Sequence, residues 1–530
     1  MPEGEQMERA SPRRRAWFVR IAPLLSASLL CAACTVGPDF KRPVAPVAPE
    51  WRAKDDPRIT QQTATDSSWW KAFGDPTLDR LVEIAHAENL SLQVAGLRIV
   101  EARARLALVS GKQFPQLQIA YGSATAQGIT QYQASGLNLE RNFLDFQLGF
   151  DAVWELDFWG KYRRGVQAEA ASLLATVADY YSSVVALTAE VARTYATLRT
   201  YEVLVDQALS NVGLQENGLS IAESRFRNGA TSELDVTQAT TLLESTRASI
   251  PELEVGAEQA RNALCTLLGK SVGSFDALLT GPKQIPKAPL RVAVSVPAEM
   301  LRRRPDIRRA ELQAAAQCAR IGVAKAELYP SLSLIGTIGL QANTSSSGSM
   351  NLFSGDSLVY SVGPRIAWPF LNYGRLKNNV RVEDARLQQL LVGYRGAVLQ
   401  AAQEVEDALV GFLSAQRTQE FAGNAVTAAL RSQELAMIQY REGAVDYQRV
   451  LDAQRSLLEE QNTLARARSS VATQLIALYK ALGGGWELRQ GQPFVPEQTE
   501  REMKERTSWG DLLSEPPEPE REQSAPPAKQ

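Results

Sequence analysis

Hydrophobic residues in this chain fall at two spacings, and the spacing switches at corresponding places in its two halves. Leu173, Val177, Tyr180, Val184, Leu187, Val191, Tyr195 and Leu198 step by three and four, which lines one face of a helix. Leu387, Leu391, Tyr394, Val398, Ala401, Val405, Leu409 and Phe412 form a second stripe, each displaced from its counterpart by one constant offset. No proline lies between Pro115 and Pro251, or between Pro369 and Pro493, so nothing in these stretches must break a helix. The spacing predicts a helix over Lys161–Arg227, about 100 Å long at about 1.5 Å per residue. Gly229 and Gly443 then mark tight turns, since glycine tolerates the left-handed conformation just past a helix end. Return helices are expected near residues 233–268 and Tyr447–Leu482.

Elsewhere the period drops to two. "QLQIAYGSA" and "FLDFQLGFDAVWEL" alternate around a polar loop, and "SLSLIGTIGLQ" and "LVYSVGPRIAWPF" do the same in the second half. Each half therefore carries one long-looped β-hairpin, at about residues 116–156 and 331–370, preceded by helix; the first of these runs from Leu78 to about Gln113. The landmarks coincide as well. "RFRNGATSELDVTQA" from Arg225 recurs as "QYREGAVDYQRVLDA" from Gln439, and Trp154 pairs with Trp368 and Gly160 with Gly374. Upstream the offset lengthens by one position, pairing Phe114-Pro115 with Tyr329-Pro330. A duplicated unit of this length means one body with two similar halves. Residues 1–33 read as a lipoprotein signal peptide, 34–77 as a lipidated N-terminal strap whose Pro-rich stretch "GPDFKRPVAPVAPEW" is extended, and 78–280 as the first repeat. Residues 281–300 read as a linker and 301–485 as the second repeat; the Pro- and Glu-rich residues 486–530 are expected to be disordered.

Composition narrows the function by exclusion. With 57 basic and 59 acidic residues the net charge is -2, and no global field favours nucleic acid. A single histidine, His86, and four cysteines, Cys31, Cys34, Cys265 and Cys318, offer no metal cluster and no histidine-based hydrolase. His86 reads as a surface or packing residue, and Cys265 and Cys318 as small buried hydrophobes. "LLGKSVG" has Leu264 where a phosphate-binding loop needs glycine. "LRRRPDIRRAE" reads as a helix start rather than a nucleic-acid patch. The chain reads as a non-enzyme with no cofactor beyond a covalent lipid. That lipid follows from the N-terminus, where Arg13, Arg14, Arg15 and Arg20 precede an apolar segment ending in "LLCAACTVGPDF". Ala32 and Ala33 before Cys34 resemble a bacterial lipoprotein cleavage box, with Cys34 lipidated. One lipid anchors only marginally, so a second membrane attachment is expected.

The hairpins can supply it. There is no uninterrupted run of about 18 apolar residues, but strands of about 10 to 13 residues can cross a bilayer with tilt. In lipid an open sheet edge leaves backbone groups unpaired, so four strands must close with other copies. A dimer gives a filled eight-stranded barrel and a trimer a twelve-stranded one with room for a channel. Trp154, Phe158, Trp159, Trp368, Phe370 and Tyr373 sit where strand passes into helix, the place of an interfacial aromatic girdle.

"CTVGPDFKRP", "WWKAFGDPTLDRLVEIAHAENLSLQVAGLRIVEARA", "VGPRIAWPFLNYGR" and "YREGAVDYQRVLDAQRSLLEEQN" resemble the TolC/OprM-type outer membrane factors, in particular the NodT-like efflux lipoproteins. The resemblance covers residues 34–486. It implies a mixed α and β membrane protein: a homotrimeric channel-tunnel with a 12-stranded outer-membrane barrel continued by a periplasmic α-helical barrel. It further implies the outer membrane of a Gram-negative bacterium, a periplasmic adaptor and an inner-membrane transporter of the RND type. Asp235 matches the family carboxylate that ties the outer helix pair to the inner pair, Tyr440 its partner, and Asp452 a member of an acidic ring facing the lumen. Arg449 stands where some relatives carry a second ring aspartate, and is placed to pair with Asp452 at helical spacing or with another copy's carboxylate. The alternatives are the outer duct of a type I secretion system and a periplasmic coiled-coil scaffold lipoprotein.

Overall fold

The computed structural model describes residues 35–60, 67–132, 140–273, 279, 281–294, 303–344 and 351–513. Cys34 and the expected signal peptide, residues 1–33, lie outside the described residues. In chain order the elements are β1 (Ile59–Thr60), α1 (Pro76–Glu88), α2 (Leu90–Gly111), β2 (Leu117–Gly128), β3 (Asn142–Leu156), α3 (Lys161–Arg227) and α4 (Glu233–Leu267). They continue with β4 (Val292–Ala293), α5 (Pro305–Ala326), β5 (Ser331–Asn343), β6 (Leu358–Ala367), α6 (Arg375–Arg441), α7 (Tyr447–Leu482) and α8 (Glu497–Arg506). Helices α3 and α6 are equally long, and both ends of α6 are displaced from those of α3 by the offset that separates the two stripes.

Two compact units result. The first comprises Met1–Arg42, Ala102–Leu174 and Leu312–Leu391, and holds the four-stranded antiparallel sheet β2-β3-β5-β6. Its register sorts the side chains by face. Ala120, Phe150, Ile338 and Tyr360 stand opposite one another across the sheet, and Leu148, Phe150, Ile338, Tyr360 and Val362 are all exposed. The opposite face carries the sheet's polar network, beside Ile119, Tyr121 and Ile335: the Gln341 amide donates to Asp145 at 3.0 Å and the Gln147 amide at 2.7 Å, while the Thr337 hydroxyl donates to Asp151. An apolar face that stays uncovered beside a hydrogen-bonded polar one is the inverse of a soluble sheet. β2 and β6 are the edges of this sheet.

The start of the strap belongs to the same unit. The Val36 amide donates to the Trp159 carbonyl at 3.1 Å, and Arg164 pairs with Asp39 at 2.8 Å.

The second unit comprises Pro43–Glu101, Ala175–Glu311 and Val392–Gln530. Here the predicted stripes are buried: Tyr180, Val184, Val191, Tyr195 and Leu198 on α3, and Val398, Ala401, Val405, Leu409 and Phe412 on α6. Although polar residues interrupt its apolar runs, α3 contains an 18-residue window of mean hydropathy 1.3, apolar enough to cross a membrane by composition; only 28% of that window is buried within the chain. Cys265 and Cys318 are free and buried, as read from the sequence.

Two expectations need correction. The helix expected over residues 78–113 is two, α1 and α2, broken at Asn89. The Asn89 side chain accepts from the Leu92 amide at 2.8 Å and donates to the Leu267 carbonyl at 2.8 Å, which competes with its staying helical. Beyond the Pro-rich stretch, in which no helix forms, the strap carries local structure: a 3-10 turn covers Trp69–Phe73, α1 starts at Pro76 behind the N-cap Asp75, and β1 pairs in parallel with β4 of the linker. The segment from residue 486 is not disordered up to residue 513. Its front half carries Phe494, Val495, Met503 and Leu513, all buried, and Phe494 packs edge-on to Tyr180 at 5.0 Å. Proline and glutamate richness describes the remainder, residues 514–530, which lie outside the described residues.

Candidate gate at the helix turns

All the residues singled out near the turns lie in the second unit. The turns after α3 and α6 are built alike. Gly229 donates to the Phe226 carbonyl at 2.9 Å and Ala230 to Arg225 at 2.8 Å; Gly443 donates to Tyr440 at 3.0 Å and Ala444 to Gln439 at 2.9 Å. Both glycines are left-handed, with φ 70° and 75°, a conformation that costs any residue with a Cβ. Asp235 then falls in the first turn of α4, where the helix dipole favours a carboxylate.

Tyr440, in the last turn of α6, is 1% exposed. It sits among Ala222, Ala239, Leu242, Met437, Val450 and Leu451, with its ring 5.0 Å from that of Tyr447. Its hydroxyl donates to Asp235 Oδ2 at 3.3 Å, and the Thr231 hydroxyl donates to the same oxygen. Burial pushes the Tyr440 hydroxyl above its ordinary pKa, and the Asp235 charge adds to this, outweighing the opposing effects of Thr231 and Arg225. It therefore remains a proton donor at physiological pH. The structure thus brings Asp235 and Tyr440 together.

Arg225 completes the cluster. Its Nη1 donates to the carbonyls of Tyr440 and, at 3.3 Å, of Arg441, and its Cζ lies 4.7 Å from the Tyr440 ring centroid. The sequence reading missed it. The only signal was a cation in the last turn of α3, which suggests service to its own helix end rather than to α6.

Asp452 and Arg449 are both exposed on α7. The Gln448 amide donates to Asp452 at 2.9 Å, and among the described residues no ion pair joins Arg449 to Asp452. The intrachain pairing considered for Arg449 is therefore not formed. An amide one turn away takes the carboxylate instead, and the guanidinium stays in solvent.

The outer membrane efflux protein family model matches this chain twice, over residues 81–270 and 296–484. The chain belongs to the outer membrane efflux protein family. It is 32% identical over 469 residues to the pyoverdine export outer membrane protein OpmQ of Pseudomonas putida, covering 88% of this chain and 97% of the relative. Nodulation protein T of Rhizobium leguminosarum bv. trifolii is 31% identical over 460 residues, covering 87% and 96%. Among solved structures the outer-membrane channel OprN superposes with a TM-score of 0.78 at 33% identity, covering 86% of this chain and all of that one.

As an outer membrane efflux protein, the chain has the mostly helical channel fold of this family, with a smaller sheet. The aromatics expected at the membrane interface lie in its first unit. Trp154 donates to the Gln113 carbonyl and Trp368 to the Leu328 carbonyl, each at 3.1 Å, which is one interaction made twice. Trp159 differs: it is part-buried, stacks on Tyr329 at 4.5 Å and donates to Pro330 at 2.7 Å. Tyr373 is 99% exposed, with φ 49° ahead of Gly374.

Proposed function

We propose that this outer membrane efflux protein is the passive exit duct of a tripartite pump. In this reading it works as a homotrimer and receives cargo from an inner-membrane transporter of the RND type through a periplasmic adaptor. The observation that carries the reading is the sheet: four strands with two open edges, one apolar uncovered face and one polar face. In lipid such a sheet must pair both edges with other copies, and twelve strands leave a water-filled bore lined by the polar face. Two further features favour assembly. Val392, Leu399, Val410, Phe421 and Leu435 lie along one exposed face of α6, with Phe421 68% exposed, and most of the apolar window of α3 is also uncovered. Stripes of that length ask for neighbouring helices.

The turns are the gate of the duct. Tyr440 and Asp235 tie the two turns, and in a trimer three copies of Asp452 and of Arg449 meet near the axis. Arg449, unpaired within the chain among the described residues, is placed to neutralise that ring from a neighbouring copy. Lipidation at Cys34 adds an anchor to the barrel. The test is purification in detergent followed by planar-bilayer recording. A heat-modifiable trimer with single-channel conductance is expected; a detergent-independent monomer that conducts nothing would leave only a periplasmic scaffold.

A further inference from the structure

We propose that Arg225 is the latch of the gate, holding the α6 end shut from the α3 end. Its release, rather than rupture of the Tyr440–Asp235 hydrogen bond, would then set the step from closed to open. This rests on the gate reading above.

The last carbonyls of a helix have no intrahelical partner and carry the negative end of its dipole. At the end of α6 the Tyr440 carbonyl, which already accepts from the Gly443 amide, and the Arg441 carbonyl both receive the Arg225 guanidinium. The same guanidinium lies over the Tyr440 ring, so one side chain grips both the backbone and the ring of a single residue. Tyr440 therefore cannot swing from Asp235 without also leaving Arg225. By contrast, the 3.3 Å bond to Asp235 is long for a hydroxyl donor, and Thr231 competes for the same oxygen. Arg225 Nε is buried without a hydrogen-bond partner, so the site holds the cation at a cost in solvation that its other contacts must offset.

The latch runs one way only. At the equivalent places in the second repeat, Gln439 replaces Arg225, while Phe226 corresponds to Tyr440 and is 44% exposed. No reciprocal cation reaches from the α6 end to the α3 end among the described residues. The first repeat holds the second, and the second does not hold the first.

The experiment compares open probability in planar bilayers for the full-length trimer and the variants R225M, R225Q, R225K and Y440F. R225M should raise open probability about tenfold, the scale of one charge-assisted hydrogen bond. R225Q should do nearly the same, and R225K should fall between them and wild type, because an ammonium serves one carbonyl but loses the fork and the stacking. Y440F keeps the carbonyl and the ring and should open less than R225M. R225M within about twofold of wild type, with Y440F higher, would overturn the latch. So would loss of the trimer in both R225M and R225Q, which would make Arg225 a folding residue. A wild-type protein that never conducts would instead sink the duct reading itself.

Discussion

Asn89 and Arg304 cap corresponding helix ends with different chemistry. The Asn89 amide donates to the Leu267 carbonyl at 2.8 Å, and the Arg304 guanidinium donates to the Ala481 carbonyl at 2.6 Å. The two donors occupy matching places in the two repeats, and so do the two acceptors, so one cap has been rebuilt in the second half with a charge. That charge brought counterions: Arg304 pairs with Asp306 and Glu404, each at 2.8 Å. Burial alone would push the Asp306 carboxyl up, but the Arg304 hydrogen bond and charge hold it below the usual range.

Removing the two caps should therefore cost unequally. Asn89→Ala loses a neutral cap and should lower stability by about 1 kcal/mol. Arg304→Ala leaves a carbonyl and two carboxylates without their donor and should cost about 2 kcal/mol or more, since both acids are partly exposed. Thermal unfolding in detergent, scanned for both variants, reads the difference. Equal shifts would mean that the ion pairs add nothing.

The ordered segment after residue 486 gives a second prediction. A Cβ on Gly96 would stand 2.1 Å from the Phe494 carbonyl oxygen, too close for any atom pair, so Gly96→Ala must displace that segment. Limited proteolysis should then cut between residues 486 and 513 at least about tenfold faster, since opened segments are cleaved in proportion to their open population. An unchanged digestion pattern would show that the backbone yields locally.

Acid should test His86. Its Nε2 is 2.7 Å from the Thr188 hydroxyl and its ring meets Trp70 edge-on. Burial, aided by the Arg489 charge, pushes it from 6.5 down to about 4. The native state therefore takes up its proton later than the unfolded chain. The stability this represents is complete above pH 6.5 and is lost as the pH falls towards 4. For a ring still partly exposed the loss is about 1–2 kcal/mol. His86→Gln should flatten that stretch of the pH–stability curve, and an unaltered slope would assign it to carboxylates.

The proposed aperture can be probed by charge. Arg449→Asp should raise the cation-to-anion permeability ratio several-fold, read as a shift in reversal potential across a salt gradient, because close like charges of one sign select the other. Asp452→Ala combined with Tyr440→Phe should raise closed-state conductance. If neither measurement moves, these residues are solvated helix faces and the constriction lies elsewhere.

Much of the fold could be read from spacing, because spacing reports which face of an element is buried. α3 has the bounds its stripe predicts, and β3 and β5 alternate as their residues do. What could not be read depends on partners. Nothing in "HAENLSL" shows that Asn89 will find the Leu267 carbonyl and break a helix there. Nor does the composition from residue 486 onward reveal that Phe494 has tyrosines to cover. At the proposed gate, Asp235 and Tyr440 came from resemblance and they meet in the structure, whereas Arg225 lay unnoticed inside the quoted repeat. A cation near a helix end suggests its own helix as the acceptor, and only tertiary packing redirects it to another.

The open edges β2 and β6 bear on inheritance. In the proposed trimer every seam of the barrel joins two different copies, so a single copy with a spoiled β6 leaves one seam unsealed, and one unsealed seam exposes backbone to lipid. When sound and defective chains are made together, most rings would include at least one defective member. Pro364 already stands in β6; a second proline there, at a residue whose amide faces the seam, would be harmless to a protein that acts alone but here dominant over the normal gene.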